Sequence, residues 1–406
     1  MENEIITNRD FIVFGMQGWD IEIGCNPRNI SLVMANNNNR VLYINKPIDR
    51  ITYLKGAAKK DKKLQSRVDS WKKGIGELTE VKKDIHVLNP RTIYESTNFL
   101  PEGKLYDFFN RLNAKRLAKQ INKAIKTLEF KNPIIFIDDD FVKGFYLKDL
   151  IPNDLSVYYL RDFLIYYPYF DKRASLLPKL IEKSDVVVGN SLYFKNYCLQ
   201  FNSNSSDIGQ GCETAVFQKD TYTKPEDLKN IRGPVIGYCG ALLYNRLDVK
   251  LLEEVAAQKK EWSFVFVGKE DGVFAASSLH QLPNVYFLGA KSFDEVPAYI
   301  HYFDVCINPQ IVNMITIGNY PLKIDEYLAA GKPVVATDTE AMEMFKEHCY
   351  LGTTVEDYIR NIDKALNEPN AETLNAERKK FAQSHSWEAS VNKIYQAINA
   401  FKKSNV

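Results

Sequence analysis

Short apolar runs alternate with stretches of helical spacing along nearly the whole chain. In the first half the apolar runs are Phe11–Phe14, Val41–Ile44, Ile85–Leu88, Ile134–Ile137, Ser156–Leu160 and Val186–Val188, and a long helical pattern covers Leu105–Leu128. A second series comprises Val235–Cys239, Trp262–Val267, Val285–Leu288, Val305–Asn308 and Val334–Thr337. Strand-length runs separated by helical spacing are the sequence form of parallel βα units. Three strands of the second series run into a glycine: Gly240, Gly268 and Gly289. A glycine there lets a ligand or a helix come close to a strand's carboxyl end, where open α/β sheets bind ligands. Between the series, residues 220–233 are rich in Lys, Thr, Pro and charge and read as a linker. The expected fold class is α/β, with two doubly wound Rossmann-like domains facing a central cleft, at 1–218 and 219–385. In the remaining segment, 386–406, the spacing of Trp387, Val391, Ile394, Tyr395 and Ile398 predicts an amphipathic helix over Trp387–Phe401.

Composition narrows the function classes. A chain of 406 residues with 45% hydrophobic and 26% charged positions can bury two ordinary cores. A net charge of +2 gives no footprint for nucleic acid. The six cysteines (25, 198, 212, 239, 306 and 349) are scattered through apolar runs, which fits reduced thiols in the cytoplasm rather than a disulfide frame or zinc site. No signal peptide is expected from Met-Glu-Asn-Glu-Ile-Ile, and no apolar stretch reaches the roughly 20 residues of a membrane span. One charge run stands out at residues 55–73, where eight lysines and arginines face only Asp61 and Asp69. Such a run is either a solvated face or an attraction to anionic lipid headgroups, with Leu64 and Trp71 adding shallow apolar contact.

The segment Asn319–Thr337 carries the most chemistry. It reads as a loop, a short helix opened by Pro321, a left-handed stop at Gly331 and a buried strand from Val334. Lys323 and Glu326 are three apart and project from one face near the helix's positive end. Free N–H groups with an ammonium suit a diphosphate, and a carboxylate one turn on can accept from the hydroxyls of a ribose. Together they describe a sugar nucleotide. The pattern alone also fits an ordinary helix–strand unit with a solvated Lys323, and both readings stay open on these residues.

Asp138, Asp139 and Asp140 follow an apolar strand. An Asp-x-Asp spacing can ligate a divalent cation, but strand-end aspartates facing the cleft and an acceptor are the preferred reading, and no metal site is expected. The five histidines (86, 280, 301, 348 and 385) lack metal-ligand spacing and default to structural roles. There is no nucleophile elbow and no Walker lysine.

Taken together, Gly233–Gly240, Trp262–Gly268, Leu282–Gly289, Pro297–Pro309 and Pro321–Val335 resemble the nucleotide-binding domain of GT-B glycosyltransferases of the group-1/group-4-like kind, the type that builds teichuronic acid, xanthan and other surface polysaccharides. Asp185–Ser191, Gln210–Phe217, Trp19-Asp20 and Arg40–Pro47 resemble that family's first domain and its crossover, so the resemblance covers most of the chain. It implies a metal-independent transferase that moves a sugar from a UDP- or GDP-linked donor to a saccharide or lipid-linked acceptor, with no cofactor beyond the donor itself. It places Lys323 on the diphosphate and Glu326 on the ribose, with Gly318, Asn319, Tyr320 and Pro321 beside the phosphates. Asn313 and Thr316 match an Asn-x-x-Thr before this loop. Gly240 would admit the following helix to the phosphates, Arg246 would add a second cation, and Gly268 would line the base or ribose. The acceptor base would be Asp162, with Asp20 as base or acceptor binder. The last helix would cross back onto the first domain. The chain departs from the family at Gly318, where many retaining members carry Glu, and at Tyr320, which could stack on base or sugar. The implied location is cytoplasmic, at the inner face of the membrane. A sugar-nucleotide 2-epimerase and a non-catalytic nucleotide-sugar-binding protein share the fold and remain alternatives.

Overall fold

The structure is a computed structural model that describes residues 5–21, 25–54, 65–66, 68–69, 77–219 and 221–404. It divides into two compact units, one of residues 1–208 with 390–406 and one of residues 209–389. Nearly all of the basic run at 55–73 lies outside the described residues.

The first unit holds strands β1 (Asp10–Gly15), β2 (Arg40–Ile44), β3 (Ile48–Asp49), β4 (Leu78–Lys82), β5 (Ile85–Leu88), β6 (Ile93–Tyr94), β7 (Ile134–Asp138), β8 (Leu155–Leu160), β9 (Val186–Gly189) and β10 (Ser205–Asp207). Eight of them form one sheet in the order β10-β9-β8-β7-β1-β2-β5-β4, and β3 pairs with β6 apart from it. The central strands β1, β7, β8 and β9 are buried at every position, as expected of parallel strands covered on both faces. Helices Asn26–Asn36, Lys104–Thr127, Phe141–Leu147 and Leu176–Lys183 supply that cover. Only β4 runs antiparallel, against β5, with an irregularity between Glu80 and Lys82. Its Leu-Thr-Glu-Val-Lys sequence is largely exposed, and a charged, bulged edge of this kind resists pairing with another chain. From Ser390 onward the final helix (Trp387–Ser404) belongs to this unit. There the Tyr395 hydroxyl accepts from Asn39 Nδ2 at 3.2 Å, and Lys402 reaches Asp154 at 3.1 Å.

The second unit holds β11 (Val235–Cys239), β12 (Ser263–Val267), β13 (Val285–Phe287), β14 (Val305–Asn308), β15 (Val334–Thr337) and β16 (Tyr350–Gly352). All pair in parallel in the order β13-β12-β11-β14-β15-β16. Counted within the unit this is 3-2-1-4-5-6, the doubly wound dinucleotide-binding order. Apolar clusters fill both faces. One contains Val265, Cys306, Ile324, Leu328 and Val334, and the other Phe264, Val305, Val335, Leu252 and Ile362.

Two expectations about the connection change. The break between units falls after Ile208, because the following residues pack within the second unit. The Cys212 N–H donates to the His385 carbonyl at 2.8 Å, a side chain on Gly211 would strike Trp387, and Phe217 joins the core. Residues 221–233 are not a free linker either. The Tyr302 hydroxyl donates to the Tyr222 carbonyl at 2.7 Å, Lys291 pairs with Asp227 at 2.7 Å, and Leu228 and Ile231 are core residues. All six cysteines are buried free thiols. Among the described residues no helix is long and apolar enough to cross a membrane.

Candidate functional site

In the order 3-2-1-4-5-6 the strand order reverses between β11 and β14, and the carboxyl ends at such a point are where open α/β sheets bind ligands. The residues after β11 are built for close approach. Gly240 has φ +144° and its N–H donates to the Val267 carbonyl at 2.8 Å. A Cβ at 240 would run into the Lys323 side chain, and a Cβ at 268 would strike the Gly240 carbonyl. Glycine at 268 is therefore demanded by its neighbour's backbone, whatever lies above it. The space a side chain at 240 would need is occupied by Lys323.

Lys323 sits on helix Leu322–Ala329, whose N-cap position is Pro321. The helix ends in a Schellman motif. Gly331, at φ +75°, donates to Leu328 O at 2.9 Å, and Lys332 donates to Tyr327 O at 3.0 Å. Three buried contacts fix it: Ile324 and Leu328 pack into the core, and the Tyr327 hydroxyl accepts from the Cys239 N–H at 2.9 Å. The half-buried Lys323 ammonium lies 5.5 Å from the Tyr238 ring centroid. Tyr238, then Glu326, hold its pKa above the ordinary lysine value, against burial and the opposing charge of Arg246. So Lys323, Arg246 and Glu326 share one electrostatic neighbourhood. Burial pushes the Glu326 carboxyl up to about 7, with Asp325 adding to the rise and Lys323 opposing it.

The preceding loop is self-supporting. Asn313 Oδ1 accepts from the Ile315 N–H at 2.8 Å, and its amide donates to the Asn245 carbonyl at 2.9 Å. Thr316, buried, hydrogen-bonds the Ile311 carbonyl, and Ile311 N–H reaches the Arg246 carbonyl at 3.0 Å. Asn313 and Thr316, expected on the donor, brace this loop against residues 245–246. Gly318 and Asn319 are buried at the end of this loop. The idea that Tyr320 stacks on base or sugar does not survive. Its ring is buried against Phe345 (centroids 5.5 Å apart), and its hydroxyl donates to Asp325 Oδ2 at 2.5 Å. Asp325, fully buried, also takes His385 Nδ1 at 2.7 Å. Sequence reading missed this Tyr320–Asp325–His385 cluster, since 60 residues separate Asp325 from His385 and no local pattern joins them.

The first unit has its own reversal, between β1 and β7, where Gly15 stands opposite Asp138. Asp138 is fully buried, and Arg161 Nε donates to it at 2.9 Å. The same guanidinium pairs with Asp162 Oδ2 at 2.9 Å. Asp162, half-buried after β8, is thus tethered by Arg161 and caps no helix. Asp139 is buried at φ +58°, and burial drives its pKa well above the carboxylate range. Asp140 caps helix Phe141–Leu147 by accepting from Lys143 N at 3.0 Å and pairs with the Lys143 ammonium. The three aspartates are thus divided among an ion pair, a strained turn and a cap. Asp20 is exposed in the loop after β1. Among the described residues no group of His, Cys, Asp and Glu is arranged to hold a metal ion.

Residues 233–368, within the second unit, match the model of the family described as Glycosyl transferases group 1. A protein described as a teichuronic acid biosynthesis glycosyltransferase, TuaH of Bacillus subtilis (strain 168), is 34% identical over 166 residues, 39% of this chain and 42% of the relative. The match thus spans less than half of that relative's length. Among solved structures, α,α-trehalose 6-phosphate synthase of Burkholderia multivorans superposes with a TM-score of 0.66 at 10% identity, covering 99% of this chain and 100% of the other. Anabaena Alr3699/HepE, in complex with UDP, gives 0.64 at 15% identity over 96% and 100%. At such identities the likeness shows the fold, which is GT-B.

Proposed function

We propose that this chain, whose residues 233–368 match the group 1 glycosyltransferase model, is a metal-independent glycosyltransferase. In this reading it moves a sugar from a UDP- or GDP-linked donor to a saccharide or lipid-linked acceptor in surface polysaccharide synthesis. The observation that carries the proposal is the seating of Lys323 against Gly240 at the reversal point of a 3-2-1-4-5-6 sheet, with Arg246 and Glu326 within electrostatic reach. The UDP complex of the Anabaena neighbour and the partial match to TuaH support it.

The second unit is then the donor domain. Lys323, Arg246 and the N–H groups at the start of helix Leu322–Ala329 neutralise the diphosphate. Their effect grows as the sugar leaves and charge accumulates on the leaving oxygen. Glu326, as a carboxylate, accepts from the ribose hydroxyls. Pro321, Asn319 and Gly318 set where that helix begins. The first unit is the acceptor domain. For an inverting displacement Asp162 takes the proton from the acceptor hydroxyl, with Arg161 aiming the carboxylate. Asp20 contributes to acceptor binding. The final helix, split between the two units, ties them in one chain. The basic run 55–73 supports attachment to an anionic membrane face through its charge alone.

Titration calorimetry with UDP and GDP, and with their sugars, tests the donor assignment. Binding by wild type that is lost in Lys323→Ala is expected, and equal binding by both proteins would remove the site.

A further inference from the structure

The long helix of the first unit, Lys104–Thr127, carries a charge pattern that no part of the candidate site uses. It holds seven lysines and arginines against one acidic residue, Asp107, and that aspartate accepts from the Tyr146 hydroxyl. Its inner side is apolar, with Leu117, Ile121 and Ala124 in the core. Between 104 and 126 every exposed position is either basic (Lys104, Arg111, Lys115, Lys119, Lys123, Lys126) or apolar (Leu105, Phe108). At 3.6 residues per turn these positions fall within an arc of about 120°, on a helix about 36 Å long.

A row of like charges repels itself unless something answers it. Among the described residues Lys104, Lys115, Lys119 and Lys126 make no ion pair. The concentration of charge is local. This helix contributes +6 and residues 55–73 another +6 to a chain of net charge +2, so the rest of the protein sums to −10. The two basic elements also meet. Arg50 and Arg116 share the Glu95 carboxylate at 2.6 and 2.8 Å, which ties the short helix Arg50–Leu54 to the long one. Lys123 lies 3.6 Å from Glu77. The chain therefore leaves for the basic run, and returns from it, beside the same helix.

Six cations spread over about 33 Å of helix cannot converge on one small anion, so they fit an extended anionic surface. The apolar residues decide which kind. Leu105, Phe108 and Phe99, the last in the loop leading into the helix, are each more than half exposed. They stand at one end of the row and are not interleaved with the cations, as aromatics that stack on successive bases would be. At a bilayer such side chains dip toward the acyl boundary while lysine heads stay level with the phosphates. We propose that the exposed arc of helix Lys104–Thr127 docks on an anionic lipid surface, its lysine row over the headgroups and Leu105, Phe108 and Phe99 entering the interface. This rests on the membrane attachment proposed above and deepens it by naming the face, and it is independent of the donor assignment.

Co-sedimentation of the full chain with vesicles tests this, comparing phosphatidylcholine mixed with phosphatidylglycerol against phosphatidylcholine alone. Wild type should bind only the anionic vesicles, and more weakly as salt rises. Lys115→Gln, Lys119→Gln and Lys126→Gln combined should weaken binding roughly tenfold or more, whereas Arg at the same three positions should preserve it. Lys250→Gln, Lys260→Gln and Lys364→Gln combined remove equal charge from the second unit and should stay within about twofold of wild type. Phe108→Ala should weaken binding several-fold. Failure of wild type to bind, undiminished binding by the helix variant, equal loss in the second-unit variant, or unchanged binding by Phe108→Ala would each overturn the assignment. So would tighter binding to a single-stranded oligonucleotide than to the vesicles. Calorimetry with UDP keeps the two readings apart. Vesicle binding by a wild type that ignores UDP sinks the donor reading alone, while UDP binding with vesicle binding indifferent to the helix variant sinks this one alone.

Discussion

The two units place their candidate chemistry at the same topological position and give it opposite character. In the second, the reversal between β11 and β14 is lined by two glycines, a lysine and an arginine. In the first, the reversal between β1 and β7 is lined by Gly15, three aspartates and one arginine that bridges two carboxylates. A parallel sheet decides where a ligand can lie, since the strands' carboxyl ends and the diverging helices leave a crevice there. Side chains decide what lies in it. The cationic crevice suits a leaving diphosphate, and the acidic one suits a hydroxyl that must lose a proton.

That contrast can be broken from either side. The largest effect is expected for Asp162→Asn, which keeps size and hydrogen bonding but cannot take a proton. Transfer should slow roughly 10²–10⁴-fold while UDP affinity holds, and unchanged turnover in a coupled assay would remove Asp162 as the base. Next comes the donor crevice. Lys323→Ala should weaken UDP binding about 10–100-fold, the worth of a charge-assisted contact of ~1.5–3 kcal/mol. Gly240→Ala should mimic much of this loss, because its methyl needs the room Lys323 occupies. Wild-type affinity in Gly240→Ala would mean that the lysine's seat is irrelevant.

A smaller effect concerns protons. The Glu326 carboxyl titrates at about 7, and only its ionised form is an acceptor without a competing proton. Donor affinity should therefore fall as pH drops through about 7, by roughly tenfold at most for one hydrogen-bonding carboxylate. Glu326→Gln should flatten the profile, and an identical slope in that variant would assign the titration to another group. The smallest effect belongs to His385→Gln. Loosening Asp325 and Tyr320 beneath the donor loop should raise the donor KM roughly 2–10-fold and leave kcat nearly unchanged. A fall in kcat with KM constant would mean that the cluster does not act through donor placement.

Much of this arrangement was legible before any coordinates. Buried parallel strands such as Ile134–Asp138 and Val305–Asn308 announce themselves as unbroken apolar runs, and Lys323 and Glu326 stand at an interval that a helix places on one side. Less legible were edge strands. Leu78–Lys82 is largely exposed, Ser205–Asp207 is polar and Tyr350–Gly352 is only three residues long, so hydrophobic pattern carries little of their identity. Long-range partnerships were invisible. Tyr238 under Lys323, His385 on Asp325 and Arg173 between two aromatic rings join residues with no shared local motif. Tyr320 shows the reverse error, because an aromatic ring in a ligand loop reads as a stacking platform until the core beneath it is seen to claim the ring.

The contact between Gly240 and Gly268 limits what variation can do here. Position 268 cannot gain a Cβ without striking the Gly240 carbonyl, and position 240 cannot gain one without displacing the Lys323 side chain, so the two turns form one hard rim. On the donor reading proposed above, preference for one nucleobase over another would be tuned by residues beyond this rim. A library built to change donor choice should hold 240 and 268 constant and randomise their outer neighbours.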